Sequence, residues 1–100
     1  MLLVNSNTFK KGDIVTMKLV NGDEVVSEVM ETNHDYYVIK RPCTVVPSAQ
    51  GMGLMQSLFV GQPDHLITIH KQHIMLMAPV VKDMETHYLS TTSGIKLARA

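Results

Sequence analysis

From Lys11 to Pro42 the chain reads KGDIVTMKLVNGDEVVSEVMETNHDYYVIKRP, two β-rich runs meeting at Asn21-Gly22 and a third following Asn33-His34-Asp35. Asn-Gly between apolar runs is a strong hairpin signal, because both residues tolerate the positive φ that such a turn needs. The register follows from counting. A two-residue loop at Asn21-Gly22 sets Leu19 opposite Glu24 and Val15 opposite Glu28, which puts carboxylates on the apolar face. A three-residue loop, Asn21 to Asp23, sets Leu19 opposite Val25, Met17 opposite Ser27 and Val15 opposite Val29. A slip of one residue exchanges the two faces, so burial selects the second arrangement. Its inner face is Val15, Met17, Leu19, Val25 and Val29, with the small Ser27 among them.

Composition narrows what this sheet can serve. One hundred residues, 45% of them hydrophobic, suit one domain with a modest core. Nine basic and nine acidic residues leave no formal net charge, so the chain as a whole does not attract nucleic acid. Any such binding needs a local basic site. A lone cysteine, Cys43, excludes an intramolecular disulfide and fits a reducing compartment. Met1-Leu2-Leu3-Val4 gives way at once to Asn5-Ser6-Asn7, too polar a sequel for a signal peptide. The longest run free of charged or strongly polar residues, Ile74 to Val81, falls far short of the ~18 residues a membrane span needs. The expectation is a soluble, cytoplasmic protein.

Residues 1–8 read as a short arm, and Gly12-Asp13 as turn chemistry before the first strand. The three strands are expected at about Ile14–Val20, Glu24–Thr32 and Tyr36–Arg41, the last ending at Pro42, which has no N–H for a ladder. Residues 42–64 are too many for a structureless connection. Cys43–Val46 and Ser57–Val60 have β character, so the segment reads as an extended hairpin inserted between strands three and four. Met52, Leu54, Met55, Leu58 and Phe59 make it unusually apolar, suited to a neighbouring subunit, a barrel end or a protein partner. His65–His70 and Ile74–Ala78 form the last two strands. In them Ile67 and Ile69 alternate with Leu66 and Thr68, and Ile74 and Leu76 with Met75 and Met77, which leaves both faces largely apolar. From Pro79 to Gly94 the period becomes helical, with Val81, Met84 and Tyr88 on one stripe that Ile95 continues. This C-terminal helix is expected to cap an open barrel end.

Two stretches together resemble the Sm-like family. Val15-x-x-x-Leu19-Val20-Asn21-Gly22 followed by Asp35-Tyr36-Tyr37-Val38-Ile39 is similar to its first motif, closest to Hfq-type members. Ile69-His70-Lys71-Gln72-His73-Ile74 through Ala78-Pro79 resembles its second, in which a basic residue precedes the last strand. The resemblance implies a mostly β, SH3-like small barrel: a strongly bent five-stranded antiparallel sheet with a long insertion between strands 3 and 4. It also implies a homo-oligomeric ring, hexameric or heptameric, in which the fourth strand of one subunit pairs with the fifth of the next. The long insertion and the helix at the C-terminal end look more like divergent phage-type members than cellular Hfq. Position 27, glycine in most of the family, is serine here.

The function implied is binding of single-stranded RNA in a chaperoning or protecting role. Carried over by position, Tyr37 stacks a base and Lys71 holds the phosphate, with Gln72 where Hfq has histidine. Stacking is worth about 1–3 kcal/mol per base, and a ring multiplies weak sites through effective concentration. Ile39 stands where many Sm proteins use asparagine to read the base, so discrimination there is expected to be poor. Asp35 and His70 complete the candidate set, Asp35 better explained as a turn-stabilising residue than as a ligand, and His70 as a rim residue able to stack. The plainer alternatives are a half-buried strand tyrosine for Tyr37 and a solvated turn residue for Lys71. His65, His70 and His73 near Asp64 raise the question of zinc, but neither His-x4-His nor His-x2-His is a diagnostic spacing. Cys43 lacks a partner at a recognisable catalytic spacing, and no P-loop or GxSxG is present. The expectation is a binding protein without cofactor or metal, not an enzyme. The rival expectation is a structural or protein-interaction module on the same barrel.

Overall fold

The computed structural model describes residues 9–62 and 64–99, the last six of these through their backbone alone. The arm expected over residues 1–8 lies outside the described residues. Strands β1 (Ile14–Leu19), β2 (Glu24–Thr32), β3 (Tyr36–Ser48), β4 (Gly51–Gln56), β5 (Leu66–His70) and β6 (Ile74–Pro79) form one antiparallel sheet. A 3₁₀ turn, Lys71–His73, joins β5 to β6, and helix α1 runs from Lys82 to Arg99. The protein is therefore mostly β with a C-terminal helix. Among the described residues the sheet has six strands rather than five, because the insertion contributes β4. It is not closed among the described residues: β4 and β5 each pair only with β3, and β6 only with β1.

The hairpin keeps the expected faces but not the expected register. Met17 pairs with Val25 and Val15 with Ser27, and the Leu19 N–H donates to the Asp23 carbonyl at 2.8 Å. The loop is thus Val20-Asn21-Gly22, not Asn21 to Asp23. Gly22 explains the choice. In a three-residue hairpin the last loop residue is left-handed, and Gly22 takes φ 98° there, donating its N–H to the Leu19 carbonyl at 2.9 Å. Asn21 Oδ1 braces the turn by accepting from the Asp23 N–H at 3.0 Å. The pairing slides by two residues, which leaves every side chain on its original face.

Pro42 does not end β3. It falls beside Arg41 in a bulge, where these two residues stand opposite the single Ser27 between the pairs Val26–Cys43 and Glu28–Lys40. A bulged residue needs no ladder N–H, so proline is tolerated there. Arg41 carries φ 52°, a left-handed conformation costing about 1–2 kcal/mol for a non-glycine residue. Tyr88 Oη holds that backbone from the helix, donating to the carbonyls of Lys40 (3.1 Å) and Arg41 (2.9 Å). Beyond the bulge, β3 continues to Ser48, and Gly51 at φ 117° turns it into β4. The second arm of the insertion is therefore Gly51–Gln56, earlier than the expected Ser57–Val60. Asp64, at the far end of the insertion, accepts from Arg41 Nε at 3.0 Å and Nη2 at 2.9 Å.

The sheet is buried on both faces at its centre. One face carries Phe9, Val15, Met17, Val25, Val29, Tyr37 and Ile39, with Leu19, Ile67, Ile69, Ile74 and Met77 packed around them. The other face holds Val26 and Cys43 against Tyr88, flanked by Ile14, Val45, Leu54, Val80 and Met84. Helix α1 thus covers the back of the sheet rather than a barrel end. Within its expected stripe Met84 and Tyr88 pack, Val81 is exposed, and the side chain of Ile95 lies outside the described residues. Gly94 does not terminate the helix, which continues to Arg99. No described helix is long and apolar enough to cross a membrane.

Candidate nucleic-acid interface

Three turns converge where the candidate residues lie. The 3₁₀ turn is tied to the β2–β3 turn by the Lys71 N–H, which donates to the Asp35 carbonyl at 2.9 Å. It is tied to the β1–β2 turn by the Val20 N–H, which donates to the His73 carbonyl at 2.9 Å. The Asn21-Gly22 hairpin and Lys71 therefore share one rim of one sheet.

Tyr36 and Tyr37 open β3, paired with His70 and Ile69 respectively. Neighbouring strand residues face opposite ways, and the two rings part accordingly. Tyr37 turns inward and is only 9% exposed. The Lys71 ammonium lies 4.8 Å from the centre of its ring, a cation–π contact. Burial pushes the Tyr37 hydroxyl above its ordinary pKa. Ile74, Met75, Leu76 and Met77 line the hollow beside this pair. Tyr36 turns the other way, its ring meeting that of His70 edge-on at 6.2 Å.

A bulge shapes the β6 wall of that hollow. Lys18 pairs with Leu76 but Leu19 pairs with Ile74, leaving Met75 as an extra residue. Strict alternation predicts Ile74 and Leu76 on one face and Met75 and Met77 on the other. With the bulge, Ile74 and Met77 pack on the core while Met75 and Leu76 are 62% and 68% exposed. A bulge re-aims side chains in this way without unpairing the strand.

Of the residues singled out by sequence, Asp35, His70, Lys71 and Gln72 surround a second hollow, together with His34. Lys71 belongs to both hollows and separates them. Tyr37 is brought to Lys71 but is covered by it. Ile39 is not part of this surface: at 2% exposed it is a core residue, because its inward position on β3 faces Met17 and Val29 rather than solvent. Sequence reasoning left Tyr36 and His34 out of the candidate set and weighed His73 only as a metal ligand. The available signal was the Tyr-Tyr pair itself, since one of two adjacent strand tyrosines must face out. His34 Nδ1 lies 2.9 Å from Asp35 Oδ1, so Asp35 is engaged within its own turn.

Among the described residues no group of three or more His, Cys, Asp or Glu is placed to hold a metal ion. Cys43 is buried and free, its thiol pushed upward in pKa by that burial. In the insertion, Leu54 packs on the back of the sheet, whereas Met52, Met55, Leu58 and Phe59 are exposed. No protein-family model and no curated protein matches this chain.

Proposed function

We propose that this chain is a divergent, phage-type Sm-like subunit that assembles into a homo-oligomeric ring of six or seven copies and binds single-stranded RNA, chaperoning or protecting it in the cytoplasm. The role is binding, not catalysis. The observation that carries this reading is the Lys71 ammonium over the Tyr37 ring at the rim where the three turns meet. A phosphate drawing Lys71 away uncovers a tyrosine face, and a base then replaces a cation–π contact worth about 0.5–1 kcal/mol with stacking worth about 1–3 kcal/mol. Ring assembly is supported by the outer edges of β5 and β6, which, like that of β4, pair with no described strand. Head-to-tail pairing of β5 with β6 of another copy satisfies both edges at once and brings a cover to Leu66, Met75 and Leu76.

The test is molar mass by light scattering together with binding of short U-rich and A-rich RNAs at two salt concentrations. A multimer whose RNA affinity falls in Tyr37→Ala and Lys71→Ala is expected. A monomer, or no binding at low salt, ends the proposal. A second reading is a protein-interaction or structural module, favoured by zero net charge and by exposed Met52, Met55, Leu58 and Phe59. It predicts that Leu58→Ser with Phe59→Ser abolishes assembly or partner binding while RNA has no effect.

A further inference from the structure

Three of the five histidines stand at one rim. His34 lies in the β2–β3 turn, His70 at the end of β5 and His73 at the end of the 3₁₀ turn, all exposed. The His70 ring meets that of Tyr36 at 6.2 Å and that of His73 at 6.5 Å, both edge-on. Beside them opens the hollow lined by His34, Asp35, His70, Lys71 and Gln72. It is separate from the Tyr37 hollow and is lined chiefly by groups that donate hydrogen bonds.

We infer that this outer hollow binds a backbone phosphodiester of single-stranded nucleic acid and is switched on by protonation of His34, His70 and His73. The inference rests on the RNA binding proposed above and adds a second contact to it, with its own pH dependence.

Charge accounting supports the switch. Where the imidazoles are neutral, the Lys71 ammonium and the Asp35 carboxylate cancel, as the charges of the whole chain do. The other charged or titratable groups around the rim are few. Glu31, at the end of β2, accepts from Asn33 Nδ2 at 3.1 Å. Asp23, on the β1–β2 turn that touches His73, accepts from Asn21 Nδ2 at 3.2 Å. Tyr36 faces the rim from β3, and Asp35 is held by His34. Each nearby carboxylate thus has a donor of its own. Histidine changes charge between about pH 5 and pH 8. Protonation therefore adds three positive charges at a rim whose hollow holds one carboxylate. A phosphate entering there relieves their mutual repulsion, so phosphate and protons each raise the affinity for the other. Affinity is gained as pH falls through the histidine range and lost above it.

The experiment uses the full chain with two probes of roughly ten nucleotides: an oligouridylate and a base-free deoxyribose-phosphate strand. Fluorescence anisotropy is read at about pH 5.5 and about pH 8, at two salt concentrations, with light scattering at each pH. Both probes are expected to bind at least about tenfold tighter at the lower pH, with a log–log salt slope steeper by about 2, from about 0.7 per neutralised phosphate on a single strand. The variant H34Q/H70Q/H73Q is expected to lose both effects, and the control H65Q/H87Q to keep them. All three rim positions are exposed, so the core is untouched. Equal affinity at the two pH values overturns the switch and leaves RNA binding standing. No binding at either pH and low salt overturns both. An effect that survives in H34Q/H70Q/H73Q, or vanishes in H65Q/H87Q, overturns this location. An effect confined to oligouridylate overturns phosphate as the recognised group. Inorganic phosphate alone displacing both probes at millimolar concentration overturns the assignment to a strand, and a change in mass that accounts for the gain overturns direct contact.

Discussion

Val26 on β2 and Leu76 on β6 are both apolar and both face away from the core cluster around Met17, yet Val26 is 1% exposed and Leu76 is 68% exposed. The difference is cover. Helix α1 lays Met84 and Tyr88 over the back of β2 and β3, and Leu54 of β4 closes the flank. Among the described residues nothing covers the same side of β6. A sheet of this size buries both faces only where another layer reaches it, and this chain has enough helix for the centre alone. The centre is therefore covered from within the chain, whereas the edge strands leave Leu66, Met75 and Leu76 exposed, where we propose another copy packs.

The comparison breaks most severely at Tyr88. Tyr88→Ala removes the largest fully buried side chain and the donor to two carbonyls at the strained bulge. A loss of about 3–5 kcal/mol is expected in denaturant unfolding, against less than about 1 kcal/mol for Leu76→Ala at the uncovered edge. Burial also raises the Tyr88 pKa above the ordinary tyrosine value, helped by Cys43 and Glu28. The folded state therefore holds its phenol proton more tightly than the unfolded chain does. The stability this provides is fully present below about pH 10 and lost as pH rises beyond it. Thermal melts across the alkaline range should show that loss, and Tyr88→Phe should reduce it, leaving the shares of Tyr37 and Cys43.

A smaller effect, of opposite sign, is expected at Ser27. Its Oγ is buried and has no hydrogen-bond partner among the described residues. Ser27→Ala should stabilise the chain by about 1 kcal/mol, because it removes an unsatisfied hydroxyl while keeping the small side chain opposite the bulge. A destabilised variant would mean that the hydroxyl has a role this packing does not account for. At the uncovered edge the expected change in monomer stability is smallest of all. Met75→Ser with Leu76→Ser should leave the monomer's unfolding free energy within about 0.5 kcal/mol of the parent yet lower the mass in solution. An unchanged mass would remove those side chains from any interface between copies.

Much of the sheet was legible in the sequence. The bounds of β2 were read correctly, β1 to within a residue, and the inward face from Val15 to Val29 survived an error of two residues in register because parity depends only on odd shifts. The bulges were not legible. That proline ends a strand is a rule about a ladder position, and only the alignment of Arg41 and Pro42 opposite Ser27 takes that position away. Likewise, alternation could not foresee that Met75 is an extra residue leaving Leu76 uncovered. For the candidate site, the resemblance to the Sm-like motifs brought Lys71, Asp35, His70 and Gln72 into consideration, and they do gather at one rim. It could not tell that Tyr37 is buried and Tyr36 only half-buried, because pairs in sequence do not reveal which face has a second layer.

By itself, then, the sequence determined what is local: the turn at Gly22, the alternation that sets the faces of β1 and β2, and the helical period after Pro79. Tertiary structure alone decided which of those faces is covered, where the ladder tolerates an extra residue, and which side chains meet across the rim. The physical reason is range. Turn chemistry and periodicity act over a few residues, whereas burial depends on elements as far apart in the chain as Lys40 and Tyr88.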